Sequence, residues 1–411
     1  MPKMYRIRKF FLFESPTYID WAIYFTAFII LQVPAIINFY YNDGSQNAYI
    51  HFAQALLHGD LSLPSTIHEV GDLAYFNGKY YLPYPPLPGI LLVPFVAIFG
   101  ADHINTVAIA TAMACICLYL VYSILNKLRV NKEYVPWLIA AMVFGTGFWF
   151  ALFTTHHVYA FAHITSFLFQ LFAINEILGK RRWWLIGVFL GCTFLTRQFT
   201  IFYVFFALGY MYYLNKTGEE KLNLKNVFAL ILPLSFFVIL YLVYNYIRFG
   251  NVLDSGYTHI VFIGVLNERV QQYGVFSSRY FLYNLYTSLI KGFNINFKGN
   301  TYLNIKDMDL WGTSLLSASP FLIASVKASW PKLLKVFAWM TILIIFIGQL
   351  FYHNNGYEQV NTSRFSLDFL PLLFVLFSLG VTKIPAWLLK GMIGYAILLN
   401  VISFIIHLLY Q

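Results

Sequence analysis

The dominant pattern along the chain is a succession of apolar runs separated by short polar stretches. About twenty apolar residues are needed for one helix to cross roughly 30 Å of hydrocarbon. The runs that approach or meet that length are 20–40, 104–125, 134–152, 159–178, 183–197, 199–214, 226–247, 310–326, 334–352, 366–381 and 386–409. The pattern predicts an all-α polytopic membrane protein with about eleven transmembrane helices. It also predicts a single transmembrane domain over 1–411, interrupted by two long loops at 41–103 and 248–309.

One run is ambiguous. PPLPGILLVPFVAIFG, 85–100, is apolar but short and carries four prolines. Charge decides its placement. If 85–100 does not span, the basic clusters at the N-terminus, 127–132, 180–182, 216–225, 327–335 and 383/390 all fall on one side. They hold eighteen of the twenty-seven Lys and Arg, and the side so enriched is the cytoplasm. The expectation is therefore a juxtamembrane or re-entrant helix at 85–100, a cytoplasmic N-terminus and two extracytoplasmic long loops. Within the first of these, AYIHFAQALLHG places Tyr49, Phe52, Ala53, Leu56 and Leu57 on one helical stripe, as in a helix lying in the interface. His51, Gln54 and His58 fall off that stripe.

Composition agrees. Hydrophobic residues make up 59% and charged residues 11%, against about 25% charged in soluble domains. A net charge of +10 would point to nucleic acid in a soluble protein; here it is the signature of membrane orientation, and no nucleic-acid partner is expected. The basic N-terminal stretch MPKMYRIRKFFLF, with no small-residue cleavage site, is expected to be a retained anchor. Cys115, Cys117 and Cys192 lie in apolar runs without metal-knuckle spacing. No internal repeat and no small-xxx-small face stand out among the spans.

All ten histidines fall on the expected outer side, with eleven of the seventeen acids. Asp43, in NFYYNDGSQNAY, sits just past the first run, where it is either a solvated loop acid or a general base. Its position at the negative end of a helix dipole would raise its proton affinity. Arg197, in TFLTRQFT, sits between two short apolar runs and calls for an anion, either a lipid headgroup or a bound phosphate. Arg364, in VNTSRFSLDFLP, either does the same or pairs with Asp368. His156 and His157 are candidate ligands or phosphate donors, without the i, i+4 spacing of a helical zinc site. His163 is the natural buried, hydrogen-bonded histidine. One base and an anion hole at the membrane suffice for displacement from a lipid phosphate, a leaving group that departs unprotonated; a glycosidase needs two carboxylates.

Several segments, in order, carry a family likeness: YNDGSQNAYIHFAQALLHG, AYFNGKYYLPYPPLPGILLVPFVAIFG, LTRQFT, YNYIRFGNVLDSGY, SPFLI and NTSRFSLDFLPLL. On these the chain resembles the GT-C class of integral membrane glycosyltransferases, in particular bacterial relatives of protein O-mannosyltransferase and of the lipid A aminoarabinose transferase. The resemblance implies a GT-C-like fold. It also implies transfer of a hexosyl or pentosyl group from a polyprenyl-phosphate donor on the extracytoplasmic face of the plasma (inner) membrane, with inversion. Asp43 matches the catalytic acid; Arg197, Arg248 and Arg364 match positions where relatives are basic. Tyr257 closes one motif. Tyr84 stands where relatives often carry a charged residue, so nearby Lys79 is the candidate substitute. No second acid flanks Asp43, so the divalent metal known among relatives has no support in the residues; no other cofactor is expected. The chain ends after its last run, which favours a lipid or glycan acceptor over a folded protein. Three other readings stay open: a transporter or lipid flippase, a transferase of the O-antigen-ligase type using outer-loop His and Arg, and a non-enzymatic subunit.

Overall fold

The computed structural model describes residues 18–41, 47–64, 72–354, 357 and 359–410. The chain begins with α1 (Tyr18–Tyr41) and α2 (Ala48–Leu57), the latter opened by Asn47, whose side-chain oxygen accepts from Tyr49 N at 2.9 Å. A small antiparallel sheet follows, built from β1 (Ser62–Leu63), β2 (Ala74–Phe76) and β3 (Lys79–Tyr81) in the order β1-β3-β2. Asn77 and Gly78 turn the β2–β3 hairpin at positive φ, as a two-residue turn of this kind requires. Then comes α3 (Leu87–Phe99), thirteen residues and so about 20 Å, short of the hydrocarbon thickness.

The bundle continues through α4 (Thr106–Lys127), α5 (Val135–Phe144), α6 (Gly147–Phe153), α7 (Val158–Ile177), α8 (Trp183–Phe194), α9 (Tyr203–Thr217) and α10 (Leu224–Phe249). The second long loop holds α11 (Gly264–Tyr273), α12 (Phe281–Leu289) and a hairpin of β4 (Ile295–Lys298) and β5 (Asn304–Met308). The last part contains β6 (Trp311–Thr313), α13 (Leu315–Ala318), α14 (Lys332–Leu350), β7 (Gln359–Thr362), α15 (Leu370–Gly380) and α16 (Ala386–Tyr410). β6 pairs in parallel with β7.

The protein is an all-α polytopic membrane protein in which the sheets are minor. Among the described residues, α4, α7, α10, α14 and α16 are long and apolar enough to cross a membrane, and the bent pair α5–α6 adds a sixth span. Helix α7 is the central one, enclosed on nearly all sides. The outer helix α10 instead turns Leu232, Phe236, Ile239 and Ile247 outward, all more than half exposed, the arrangement a hydrocarbon solvent demands.

Not every apolar run forms one unbroken helix. The run 134–152 bends by 48° between α5 and α6. The break is repaired from a distance: Thr146 Oγ1 donates to Met142 O at 2.7 Å, Asn400 Nδ2 to Phe144 O at 2.6 Å, and Ser319 Oγ to Gly145 O at 2.7 Å. The run 310–326 starts as strand β6 and continues as the four-residue α13 and a 3-10 helix over Pro320–Lys327. The runs 183–197 and 366–381 yield α8 and α15, of twelve and eleven residues, both walled by protein.

Two helices pack more tightly than the sequence pattern indicates. Gly187 and Gly191 of α8 do form a small-xxx-small face, directed at α10 within the chain. A Cβ on Gly187 would lie 2.2 Å from Leu230 O, and one on Gly191 would lie 2.1 Å from the Phe237 ring. Helix α2 also departs from the expected stripe. Ile50 and Ala55 are buried beside Tyr49, Phe52 and Ala53, while Leu57 is exposed. The reason is that α2 is enclosed by protein: Phe52 lies against Gly89 of α3 and 6.0 Å from the Tyr244 ring of α10, and Tyr49 lies 6.2 Å from Phe161 of α7.

Basic clusters meet at the end of the bundle opposite the long loops. Lys127 Nζ donates to Asn175 O at 2.7 Å, Arg182 pairs with Glu176, Arg181 with Glu219 and Glu220, and Lys390 with Glu133.

The α8–α10 contact gives a direct test. Gly187→Ala is expected to destabilise the protein by about 1–3 kcal/mol, because the Leu230 backbone cannot yield. Gly391→Ala, on α16 with nothing within 4 Å, should leave the melting temperature unchanged or raised. Thermal unfolding of both variants in one detergent checks the pair.

Candidate functional site

Two cavities lie back to back at the loop end of the bundle. They are formed by segments far apart in sequence, held together by a few main-chain contacts. Val261 N donates to Leu73 O at 3.1 Å and Ala74 bridges Ile260, which joins the two long loops. Leu87 N donates to Leu195 O at 3.0 Å, which fixes the start of α3 to the end of α8. Asn47 Nδ2 and Thr106 Oγ1 both donate to Thr155 O, at 3.0 and 2.9 Å.

The first cavity, about 380 Å³, is mostly apolar, with Phe194, Phe199, Phe202 and Phe276 on its walls and Arg197 as its cation. Asp368 accepts two hydrogen bonds along one edge of the Arg197 guanidinium, with Nε 3.1 Å from Oδ1 and Nη2 2.9 Å from Oδ2. Gln349 Nε2 donates to the same Oδ2 at 2.8 Å, and His163 Nδ1 lies 3.2 Å from Oδ1, near enough to feel its charge though not aligned as a hydrogen bond. Asp368 is fully buried, and without this collar its charge would be prohibitive.

The second cavity, about 400 Å³, is polar. His51 of α2, Asp72, Tyr84, His156, His157 and Arg364 all line it. The rings of His156 and His157 are 4.1 Å apart, and His157 stacks on Tyr159 at 5.2 Å and 12°. The Arg364 guanidinium lies 3.9 Å from the centre of the same Tyr159 ring and donates through Nη1 to Tyr357 O at 3.0 Å. Such contacts stabilise by about 0.5–2 kcal/mol each.

A common aromatic wall separates the cavities. Tyr84 faces the polar one and Tyr257 the apolar one, their rings edge to face at 5.9 Å. Phe365 stands in the same wall with a guanidinium on each side, Arg197 at 5.2 Å and Arg364 at 5.3 Å. Two cations thus flank one ring, each faced by a carboxylate, Asp368 beside Arg197 and Asp72 in the cavity that Arg364 lines.

The electrostatics of the polar cavity follow from enclosure. Burial raises the Asp72 carboxyl above its ordinary range, while the Arg364 charge and a hydrogen bond with the Tyr84 hydroxyl pull it back. Burial lowers His156. His157 is lowered by enclosure first, then by His156, Arg364 and His407, although solvent in the cavity reaches it and softens the effect. Both imidazoles are therefore neutral at pH 7. Among the described residues no three His, Cys, Asp or Glu gather as a metal-binding set.

The sequence-predicted residues divide three ways. Arg197 and Tyr257 line the apolar cavity; Arg364, Tyr84, His156 and His157 line the polar one. Arg248 lines neither of these cavities. It is 3% exposed, donates to Leu82 O and to Asn245 Oδ1 (2.8 Å), and lies 3.7 Å from the Tyr244 ring, a strut between the first loop and α10. Lys79 is exposed on β3 opposite Phe76, also outside both cavities. Asp43 lies outside the described residues. Asp368 does not pair with Arg364 as the sequence allowed. Residues 364–368 form a 3-10 helix, in which four positions turn through one and a third turns, so the two side chains diverge. Asp72 and Tyr159 escape sequence reasoning altogether; the only signal for Asp72 is a lone acid ahead of a hairpin turn.

No protein-family model matches the chain, and no curated protein matches it. Among solved structures it is similar to the crystal structure of ArnT from Cupriavidus metallidurans bound to undecaprenyl phosphate, at 14% identity and a TM-score of 0.49. The match covers 93% of this chain and 64% of that one.

The Arg197–Asp368 pair is open to a double-mutant cycle. Asp368→Ala should cost roughly 3–5 kcal/mol, since it strands a largely buried guanidinium. Combining it with Arg197→Ala should recover at least half of that loss. Thermal unfolding of the two single variants and the double variant measures the coupling.

Proposed function

We propose that the chain is a glycosyltransferase that moves a sugar from a polyprenyl-phosphate donor to a lipid or glycan acceptor on the extracytoplasmic face, with inversion and with Asp43 as general base. The observation that carries this reading is the pairing of an apolar cavity holding one guanidinium with a polar cavity across a shared, positively flanked wall. A donor with a hydrocarbon tail, a phosphate and a sugar needs those three environments in that order. The isoprenoid chain would lie among Phe194, Phe199 and Phe202. The phosphate would meet Arg197 at the wall, and the sugar would reach the polar side where the Tyr84–Tyr257 contact parts to admit it.

The chemistry asks little more of the protein. The acceptor hydroxyl oxygen attacks the anomeric carbon, the bond from that carbon to the phosphate oxygen breaks, and polyprenyl phosphate leaves with the electron pair. The hydroxyl proton passes to Asp43. In the sequence Asp43 stands four positions ahead of Asn47, which is bonded to Thr155 beside the histidine pair. Positive charge from Arg197 and Arg364 would stabilise the departing phosphate.

One observation favours a second reading. His156, His157 and Arg364 meet in one cavity, which is what a ligase-type transferase relying on His and Arg would need.

Purified Asp43→Asn, Arg197→Ala/Asp368→Ala and His156→Ala/His157→Ala proteins separate the two. Each is given radiolabelled polyprenyl-phosphate sugars with membrane extract as acceptor, and binding and transfer are followed separately. The first variant should bind donor normally while transfer falls about 10²-fold or more. The Arg197/Asp368 variant should lose donor binding. Transfer that survives in Asp43→Asn and disappears in the histidine variant would establish the ligase-type reading instead.

A further inference from the structure

The polar cavity gathers several hydrogen-bond acceptors beside the Arg364 and Tyr84 donors. Asp72 can only accept hydrogen bonds when ionised and has lone pairs beyond the one that meets Tyr84; Asn354 Oδ1 is buried without a hydrogen-bond partner among the described residues, and His156, which meets the Phe153 carbonyl, offers as acceptor the ring nitrogen that this bond does not use. Three groups that want donors thus face one space of about 400 Å³. Buried acceptors left unpaired are costly, so a ligand that brings hydroxyl hydrogens is favoured there. A phosphate brings none. An amine would bring donors, but the Arg364 guanidinium on the same wall repels a second cation.

Asp72 is also held as a binding group should be. Its backbone is left-handed, φ 65°, a conformation that Asp adopts more readily than most residues and that neighbouring strand contacts fix here. The next residue, Leu73, accepts from Val261 of the second loop, and Ala74 pairs with Tyr81 in the first. Tyr84 meets its carboxyl from the wall side. Nothing in the transfer chemistry described above employs this carboxylate.

We infer that Asp72, with Asn354 and His156, forms a hydroxyl-recognising subsite in the polar cavity, and that Asp72 sets specificity for the sugar of the donor. The inference rests on the transferase reading and adds to it a residue that selects the head group rather than performing the displacement.

Equilibrium binding to the full-length protein in detergent tests it, using two probes: a polyprenyl-phosphate sugar and the same polyprenyl phosphate without sugar. Asp72→Asn should weaken the sugar-bearing lipid about tenfold, the scale of one charged hydrogen bond, and leave the sugarless lipid within about twofold. Asn354→Ala, remote from the left-handed backbone, should show the same selectivity with a smaller effect. Equal weakening of both lipids in both variants, or none of either, overturns the inference while the transferase reading stands. Wild-type protein that retains neither lipid overturns both.

Discussion

Hydrocarbon offers no hydrogen bonds, so wherever this chain interrupts a helix it must supply the missing partners itself. The α5–α6 bend exists because Asn400, more than two hundred residues away, donates to the carbonyls of Phe144 and Thr146. The end of α8 is tied to the start of α3 in the same manner, through Leu195 O and Leu87 N. The second of these interruptions borders the apolar cavity, which Phe194 and Arg197 line on either side of Leu195. A bundle of unbroken helices would have a fully packed end and no room for a ligand.

The same constraint explains the charges. Arg197 and Asp368 are affordable inside the bundle only as a pair, with Gln349 closing the carboxylate's remaining side. That arrangement fixes the guanidinium at the edge of an apolar cavity, where a single cation has a large effect on any anion that enters. Arg364 is fixed differently, on the face of Tyr159, and Phe365 between them keeps the two cations from approaching further. The wall is at once a structural divider and the place where the two guanidiniums approach a common ring.

Much of this was legible in the sequence. The spans that became α4, α7, α10, α14 and α16 follow from apolar length alone, and charge placed the basic clusters at one end. Arg197, Arg364, His156 and His157 could be named from local context, and Tyr84 and Tyr257 through the family resemblance; all six line the two cavities. The interruptions were not legible: an apolar run carries no mark of where a distant Asn or Ser will replace a helix bond. Nor was the partner of Asp368, because i, i+4 spacing points to Arg364 only if the segment is α-helical, and it is 3-10. Asp72 stayed hidden for a simpler reason. A lone acid has no periodicity, and what distinguishes it is a pair of strand contacts from another loop.

The most direct measurement is electron cryo-microscopy of the full chain in lipid nanodiscs with a polyprenyl-phosphate sugar added. The account predicts an isoprenoid chain among Phe194, Phe199 and Phe202, phosphate density at Arg197, and the sugar beyond Tyr84 toward Asp72. Lipid bound only on the outer face of α14, beside Lys332 and Trp339, with both loop-end cavities free of ligand, would contradict it.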